Sequence, residues 1–169
     1  MNLKWIGAVT ILLGCGGVGF RLVANHRQQE KELRDLLSAL DLMTCELRYR
    51  MTPLPELCLQ IARVIRGAVG KVFRELHREL DRQIAPDAGC CMNAVLSDAA
   101  LSGSVRQLLG TLGRTLGRFD LEGQLQGIEA VRMEAVQTLD TLTRNRDSRL
   151  RCYQTLGLCA GVALAILLL

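Results

Sequence analysis

The sequence is poor in the residues from which catalytic and metal sites are usually built. It has only two histidines, His26 and His77, and neither stands at metal-ligand spacing with a cysteine or a carboxylate. It contains no HExxH motif and no GxSxG motif. Gly70-Lys71 resembles the end of a phosphate-binding loop, but Val72 replaces the Ser or Thr that would bind magnesium. We therefore expect no enzyme activity, no cofactor and no metal.

Residues typical of β-sheets and of loops are also scarce. Aromatic residues make up 4% of the chain, proline occurs three times, and strict alternation of apolar and polar residues is rare. The residues that dominate the middle of the chain, Leu, Ala, Arg and Glu, favour helices. Because 169 residues fit one domain, we expect a single all-α unit.

No run of positive charge occurs in the central part of the sequence. The net charge is only +4, and acidic residues are interleaved with the arginines throughout. Proteins that bind nucleic acids usually gather their positive charge in a run or on one face. We interpret the charges as solvated helix faces and expect no nucleic-acid partner.

The seven cysteines form no CxxC pair and are odd in number, which suits a reducing compartment for the central domain. Cys90 and Cys91 are neighbours in a predicted loop. Such a pair can act as a strained redox switch or can arise from packing, and both interpretations stay open. Cys45 and Cys58 fall in amphipathic helices, where they are expected as small core residues.

An uncharged hydrophobic segment stands near each end of the chain. Residues 5–20 lie between Lys4 and Arg21, and residues 152–169 carry no charge. Since a helix needs about 20 apolar residues to cross a bilayer, we predict transmembrane helices at 1–24 and 152–169. Residues 25–151 would form the domain between them. The small residues that predict close helix packing in the second segment, between copies or with the first segment, are Gly157, Gly161 and Ala165.

The flanking charges predict the orientation. Arginines and lysines follow the first segment and precede the second, whereas only Lys4 lies on the other side. This places the central domain in the cytoplasm. Two alternatives treat the N-terminus as a cleaved signal peptide cut after Ala24, or as a lipoprotein signal processed at Cys15. Arg21 disfavours the first, and the apolar run that continues past Cys15 disfavours the second.

The central domain shows five stretches with apolar residues at helical spacing. The first is predicted to run to about Tyr49, with an apolar stripe along one face. Thr52 is expected to cap the second helix, with Pro53 at its first position and Glu56 in its first turn.

Later helices have their own predicted boundaries. Ser104 and Asp120 are expected as N-caps. Gly110, Gly113 and Gly117 predict either close helix packing or a broken helix. The last helix has no stop signal, so it is expected to run unbroken into the C-terminal segment over about 70 Å.

Together these residues resemble one family, stage III sporulation protein AB, over essentially the whole chain. The Thr-Pro-Leu block after a Leu-rich helix is the most specific part. The residues that carry the resemblance are Gly19-Phe20, Ala24, Arg27, Leu33 to Leu40, Leu42, Glu46-Leu47, Tyr49, Thr52-Pro53-Leu54, Leu112-Gly113, Leu116-Gly117, Asp120, Gln124, Tyr153, Leu156-Gly157 and Gly161.

The resemblance implies a role in endospore formation. Proteins of this family belong to an assembly that joins mother cell and forespore, and their cytoplasmic bundle is similar to the inner-membrane platform protein of type II secretion systems. We therefore expect a platform in the mother-cell membrane, with a sporulation motor ATPase and other membrane channel components as its partners. Self-association is a further expectation. The alternative is a membrane-tethered regulatory module that binds a soluble protein.

The corner between the first two predicted helices is the candidate docking site. Two prolines rigidify it, and Tyr and Arg are favoured anchors at protein interfaces. The alternative is that Thr52 and Pro53 simply start a helix. We expect the corner to lie near the membrane. The residues assigned to it are Tyr49, Arg50, Thr52, Pro53, Leu54 and Glu56.

Overall fold

The computed structural model confirms an all-α protein. It describes residues 2–82, 87–117 and 120–168, and within these ranges it describes side chains only from residue 25 to residue 144. No strand occurs in the described residues. The helices are α1 (Asn2–Arg50), α2 (Leu54–Val64), α3 (Gly67–Arg82), α4 (Ala88–Asp98), α5 (Gly103–Thr115) and α6 (Leu121–Leu168).

The long helices α1 and α6 pack along each other, and two helical hairpins complete the bundle. Arg132 Nε of α6 donates to Asp41 Oδ1 of α1 over 2.7 Å. The α2–α3 turn lies beside the middle of α1, because a Cβ on Gly67 would be 3.5 Å from Asp35 Oδ2. The α4–α5 turn also lies beside this half of α1, where the Ser102 amide donates to Glu32. The α1–α2 connection therefore occupies the opposite end of the bundle.

The predicted apolar stripe of α1 forms the centre of the core. Leu33, Leu36, Leu40 and Met43 are fully buried, as is Leu57 of α2. The remaining helices each contribute buried side chains to the same cluster. On α6, Leu121 is exposed at the start of the helix. Burial begins further along α6, where that helix reaches α1.

The terminal helices are continuous over the described residues. α6 spans 48 residues, which corresponds to about 72 Å at 1.5 Å per residue and confirms the prediction of an unbroken last helix. The segments predicted to cross a membrane, 1–24 and 152–169, lie outside the residues whose side chains are described. Of the residues that are described, none form a helix long and apolar enough to span a membrane.

Two predicted boundaries need correction, and one is confirmed. Cys90 and Cys91 lie in the first turn of α4 and not in a loop, because Asp87 caps that helix by accepting a hydrogen bond from the Cys90 amide over 2.7 Å. The residue before α5 is Ser102, and the predicted cap Ser104 instead accepts a bond from Gln29. The Asp120 cap is confirmed, since its carboxylate accepts from the Gly123 amide over 3.1 Å.

The glycines of α5 allow close packing and do not break the helix. A Cβ on Gly113 would lie 2.6 Å from the Cβ of Met92, so α4 and α5 approach closely at this point. Gly110 has more room, with the nearest atom, Leu96 Cδ1, at 3.9 Å. Gly117 follows the helix with a φ of 74°, a conformation that favours glycine.

Candidate protein-docking site

The α1–α2 corner is a short, constrained link. Three residues, Met51 to Pro53, separate the two helices. Met51 has a φ of 50°, and it is the one non-glycine residue with positive φ in the described part of the chain. A left-handed backbone at such a residue costs on the order of 1–2 kcal/mol. Strain of this kind is kept where surrounding contacts hold it, and it is common at functional sites.

A buried carboxylate holds the corner in place. Glu46 is only 7% exposed although it lies within one turn of the end of α1. Its Oε2 accepts a hydrogen bond from Thr52 Oγ1 over 2.9 Å, and its Oε1 accepts one from Arg50 Nη1 over 3.3 Å. The Thr52 bond spans the corner, so it fixes the direction in which the chain leaves α1.

The predicted cap at Thr52 was therefore wrong. Pro53 is the residue before α2, it makes no side-chain cap, and Pro55 takes a place in the first turn. Thr52 therefore lies one residue before the N-cap position, where its hydroxyl donates to Glu46, and Pro53 is not at the first helical position as predicted. The carbonyl of Pro55 lies 2.9 Å from His77 Nδ1, which fastens α3 to the start of α2. Glu56 lies in the first turn of α2, as expected.

The corner presents apolar side chains to solvent. Tyr49 is 78% exposed and Met51 is 73% exposed, more than any other large hydrophobic side chain among the described residues. Arg50, Pro53 and Glu56 are also exposed, whereas Thr52 and Leu54 are half-buried. The corner thus combines a rigid backbone with an exposed aromatic ring, a thioether and charges of both signs.

The structure does not place this corner next to the N-terminal segment. Arg50 is 26 residues beyond Ala24 on one continuous helix, which corresponds to about 39 Å along its axis. The expectation of a corner near the predicted membrane segment is therefore wrong. The corner instead forms the far tip of the bundle.

A second buried carboxylate on α1 was missed from sequence. Glu32 is 4% exposed, and its Oε2 accepts a hydrogen bond from the Ser102 amide over 2.9 Å. Gln28 Nε2 donates to its other oxygen over 3.0 Å. A signal was present, because Glu32 falls one turn before Leu36 in the apolar stripe of α1.

The thiols and acids of the described residues suggest no reactive centre. Burial raises the pKa of Cys58 to about 12, which keeps it protonated at neutral pH. Burial also raises the pKa of Cys91. Cys45, expected in the core, is exposed. The described residues contain no group of three or more His, Cys, Asp or Glu side chains that could hold a metal ion.

The predicted membrane-packing residues cannot be placed in this site. Gly157, Gly161 and Ala165 belong to the last part of α6, which lies outside the residues whose side chains are described.

Known proteins match this chain over nearly its whole length. The sequence model of the family "Stage III sporulation protein AB" matches residues 4–169. The stage III sporulation protein AB of Bacillus subtilis (strain 168) is 26% identical over 174 residues, and the match covers 99% of each chain. A solved structure titled stage III sporulation protein AB superposes with a TM-score of 0.62 at 22% identity, covering 72% of this chain and 98% of that chain. At this identity the superposition shows a shared fold.

Proposed function

The chain belongs to the stage III sporulation protein AB family, and from this premise we propose that it is a non-enzymatic membrane platform of the sporulating cell. In this proposal residues 1–24 and 152–169 anchor it in the mother-cell membrane. The bundle between them docks a motor ATPase in the cytoplasm, as the platform proteins of type II secretion systems do. The membrane segments contact other components of the assembly between mother cell and forespore.

One observation carries the docking part of the proposal. The most exposed large hydrophobic side chains among the described residues, Tyr49 and Met51, lie two residues apart at the tip of the bundle. Exposed apolar side chains beside charged ones are typical of protein interfaces, and Tyr is enriched among the residues that dominate binding energy. The Glu46–Thr52 hydrogen bond holds them in one geometry, so a partner would meet a preorganised surface.

The direction of the long helices supports the same arrangement. α1 and α6 carry the two hydrophobic ends of the chain away from the tip, and about 39 Å of α1 separates Ala24 from Arg50. A platform anchored by residues 1–24 would therefore hold its docking tip well above the headgroups, where a large soluble ATPase has room to bind.

The test replaces Tyr49 and Arg50 by Ala and leaves Thr52 intact. Both side chains are exposed, but Arg50 also donates to the buried Glu46 carboxylate, so the free energy of unfolding should fall by about 1–2 kcal/mol while the domain stays folded. Binding of the full-length protein to the motor ATPase, measured by surface plasmon resonance, should weaken at least tenfold, and spore counts should fall with it.

A matched control replaces Met133 and Arg144 by Ala. Met133 is an exposed hydrophobic residue, and Arg144 is an exposed arginine whose Nε lies 3.0 Å from the carboxylate of Asp140, four residues earlier. This control should bind the ATPase and sporulate normally. A corner variant that is folded, binds the ATPase and sporulates like wild type would refute docking at the corner.

A further inference from the structure

A concave basic surface lies at the α2–α3 turn, away from the corner. It encloses a cavity of about 280 Å³ with an apolar floor that includes Ala62 and Ile65. Four positively charged residues and no acidic residue line it. We call this surface the basic groove, and its charged residues are Arg63, Arg66, Lys71 and Arg74.

The turn that forms the basic groove depends on two glycines. Gly67 has a φ of 87°, a conformation that side chains rarely adopt. A Cβ on Gly70 would lie 1.9 Å from the carbonyl oxygen of Ile65, so only glycine allows the start of α3 to come so close to the end of α2. Arg74 Nη2 also donates to the carbonyl of Ala62 over 3.3 Å. The backbone of the α2–α3 turn therefore fixes the shape of the groove.

The cations of the basic groove form no ion pair at 4.0 Å or less within the described part of the chain, and the one carboxylate shown beside a lining residue is that of Asp35, next to Gly67. Arg63, Arg66 and Lys71 have no acidic partner there, whereas six other arginines of the described residues form ion pairs at 4.0 Å or less. Residues 25–144 contain 16 Lys and Arg against 16 Asp and Glu, so the domain has no general excess of positive charge. The groove is a local concentration in a balanced domain.

We propose that the basic groove binds an acidic segment of a partner protein. Arg63 lies in the last turn of α2 and Arg66 in the two-residue link that follows it, whereas Lys71 and Arg74 are one turn apart on α3. Four cations spread over the end of α2, the link and α3 match an extended row of carboxylates better than a single anion. Val64, between two of the lining residues in sequence, is 66% exposed and offers an apolar contact to the same segment.

The position of the groove favours a protein over a lipid headgroup. Gly67 lies beside Asp35, which is 11 residues beyond Ala24, or about 16 Å along α1. Under the membrane anchoring proposed above, headgroups at the level of Ala24 would lie about twice the Debye length at physiological ionic strength from the groove and would be largely screened from it. The groove is distinct from the corner, and its occupancy does not depend on motor docking there.

The test measures binding of a fluorescein-labelled peptide in which Glu and Asp residues flank a central Leu. Full-length protein is placed in phosphatidylcholine nanodiscs, and anisotropy is followed at low and at physiological salt. Wild type should bind this peptide at least tenfold more tightly than the same peptide with Gln and Asn in place of the acids. The variant Arg63→Gln, Arg66→Gln, Lys71→Gln should lose about tenfold or more of this affinity, whereas Arg74 is kept because it bonds to Ala62.

A matched control removes three positive charges elsewhere, with Arg34→Gln, Arg78→Gln and Arg82→Gln. These arginines are exposed, lie outside the groove, and change the net charge by the same amount. The control should bind the acidic peptide within twofold of wild type. Equal losses in the two variants, or no preference of wild type for the acidic peptide, would overturn the proposal.

Two further outcomes would assign the groove to another occupant and would also overturn the proposal of an acidic partner segment. Displacement of the labelled peptide by glycerophosphoglycerol, the water-soluble headgroup of phosphatidylglycerol, at lower concentration than by an unlabelled acidic peptide would indicate a lipid. Alternatively, sedimentation could show salt-sensitive self-association that the groove variant loses and the control keeps, which would indicate a second copy of the chain.

Discussion

Replacing Gly113 by Ala tests the close contact between α4 and α5. The new Cβ would lie 2.6 Å from Met92 Cβ and 2.8 Å from Met92 Cγ. Met92 is fully buried, and its Cβ is fixed to the backbone, so the clash is relieved only if α4 moves. The nearby Gly89 Cα, 3.7 Å from the new atom, leaves room on one side only.

The expected effect is the difference between two opposing terms. Ala is a better helix former than Gly by about 0.8–1.0 kcal/mol. Inserting a methyl group into a packed interface costs about 1–3 kcal/mol, and the upper part of that range applies because the contact is with a Cβ. We expect Gly113→Ala to lower the free energy of unfolding by about 1–2 kcal/mol.

The matched control is Gly110→Ala on the same helix. Its nearest neighbour would be Leu96 Cδ1 at 3.9 Å, which is ordinary van der Waals contact. The gain in helix propensity should therefore remain and raise stability by about 0.5–1 kcal/mol. Thermal melts of the purified proteins, followed by circular dichroism at 222 nm, should separate the two variants by about 4–12 °C. A Gly113→Ala variant as stable as Gly110→Ala would refute the close contact.

Two other substitutions and one thiol modification test the core and the corner. Thr52→Val should lower the free energy of unfolding in urea by about 1–2 kcal/mol, because the buried Glu46 carboxylate loses a donor. The control Thr44→Val removes a hydroxyl that bonds only to a helix carbonyl, so it should change stability by less than about 0.5 kcal/mol. Equal effects of the two substitutions would contradict the role of the corner bond. Leu36→Asp should cost about 4 kcal/mol or more by burying an unpaired charge at a fully buried position, and a cooperative melt near the wild-type temperature would argue against that core. The pKa of the Cys58 thiol is raised to about 12, so at pH 8 roughly one molecule in ten thousand should carry the thiolate. A thiol reagent should therefore modify the exposed Cys45 in the folded protein and reach Cys58 only after unfolding. Fast modification of both cysteines in the folded protein would contradict the burial of Cys58.

The helical core was predictable because the apolar residues that a helix buries recur every three or four positions in the sequence. Leu33, Leu36, Leu40 and Met43 fall three or four residues apart, and any helix that buries one of them buries the others. The continuous last helix was predictable for a similar reason, since no residue before Arg151 stops it.

The polar contacts were not predictable in the same way. A Thr before a Pro commonly caps a helix, but Thr52 turns back to Glu46, which depends on the angle between α1 and α2. Glu32 needs the Ser102 amide, 70 residues away in sequence, to be stable in the core. The four cations of the basic groove form no run in the sequence and meet only because Gly67 and Gly70 fold α3 back against α2.

The two buried carboxylates of α1 oppose rotation of this helix about its own axis. Glu32 and Glu46 are 14 residues apart, so they lie about 21 Å apart along the axis and within about 40° of the same face. Each accepts a hydrogen bond from a different connection, one at either end of the bundle. Turning α1 about its own axis would break both bonds together, so we expect a partner that pulls on the corner to move α1 without rotating it.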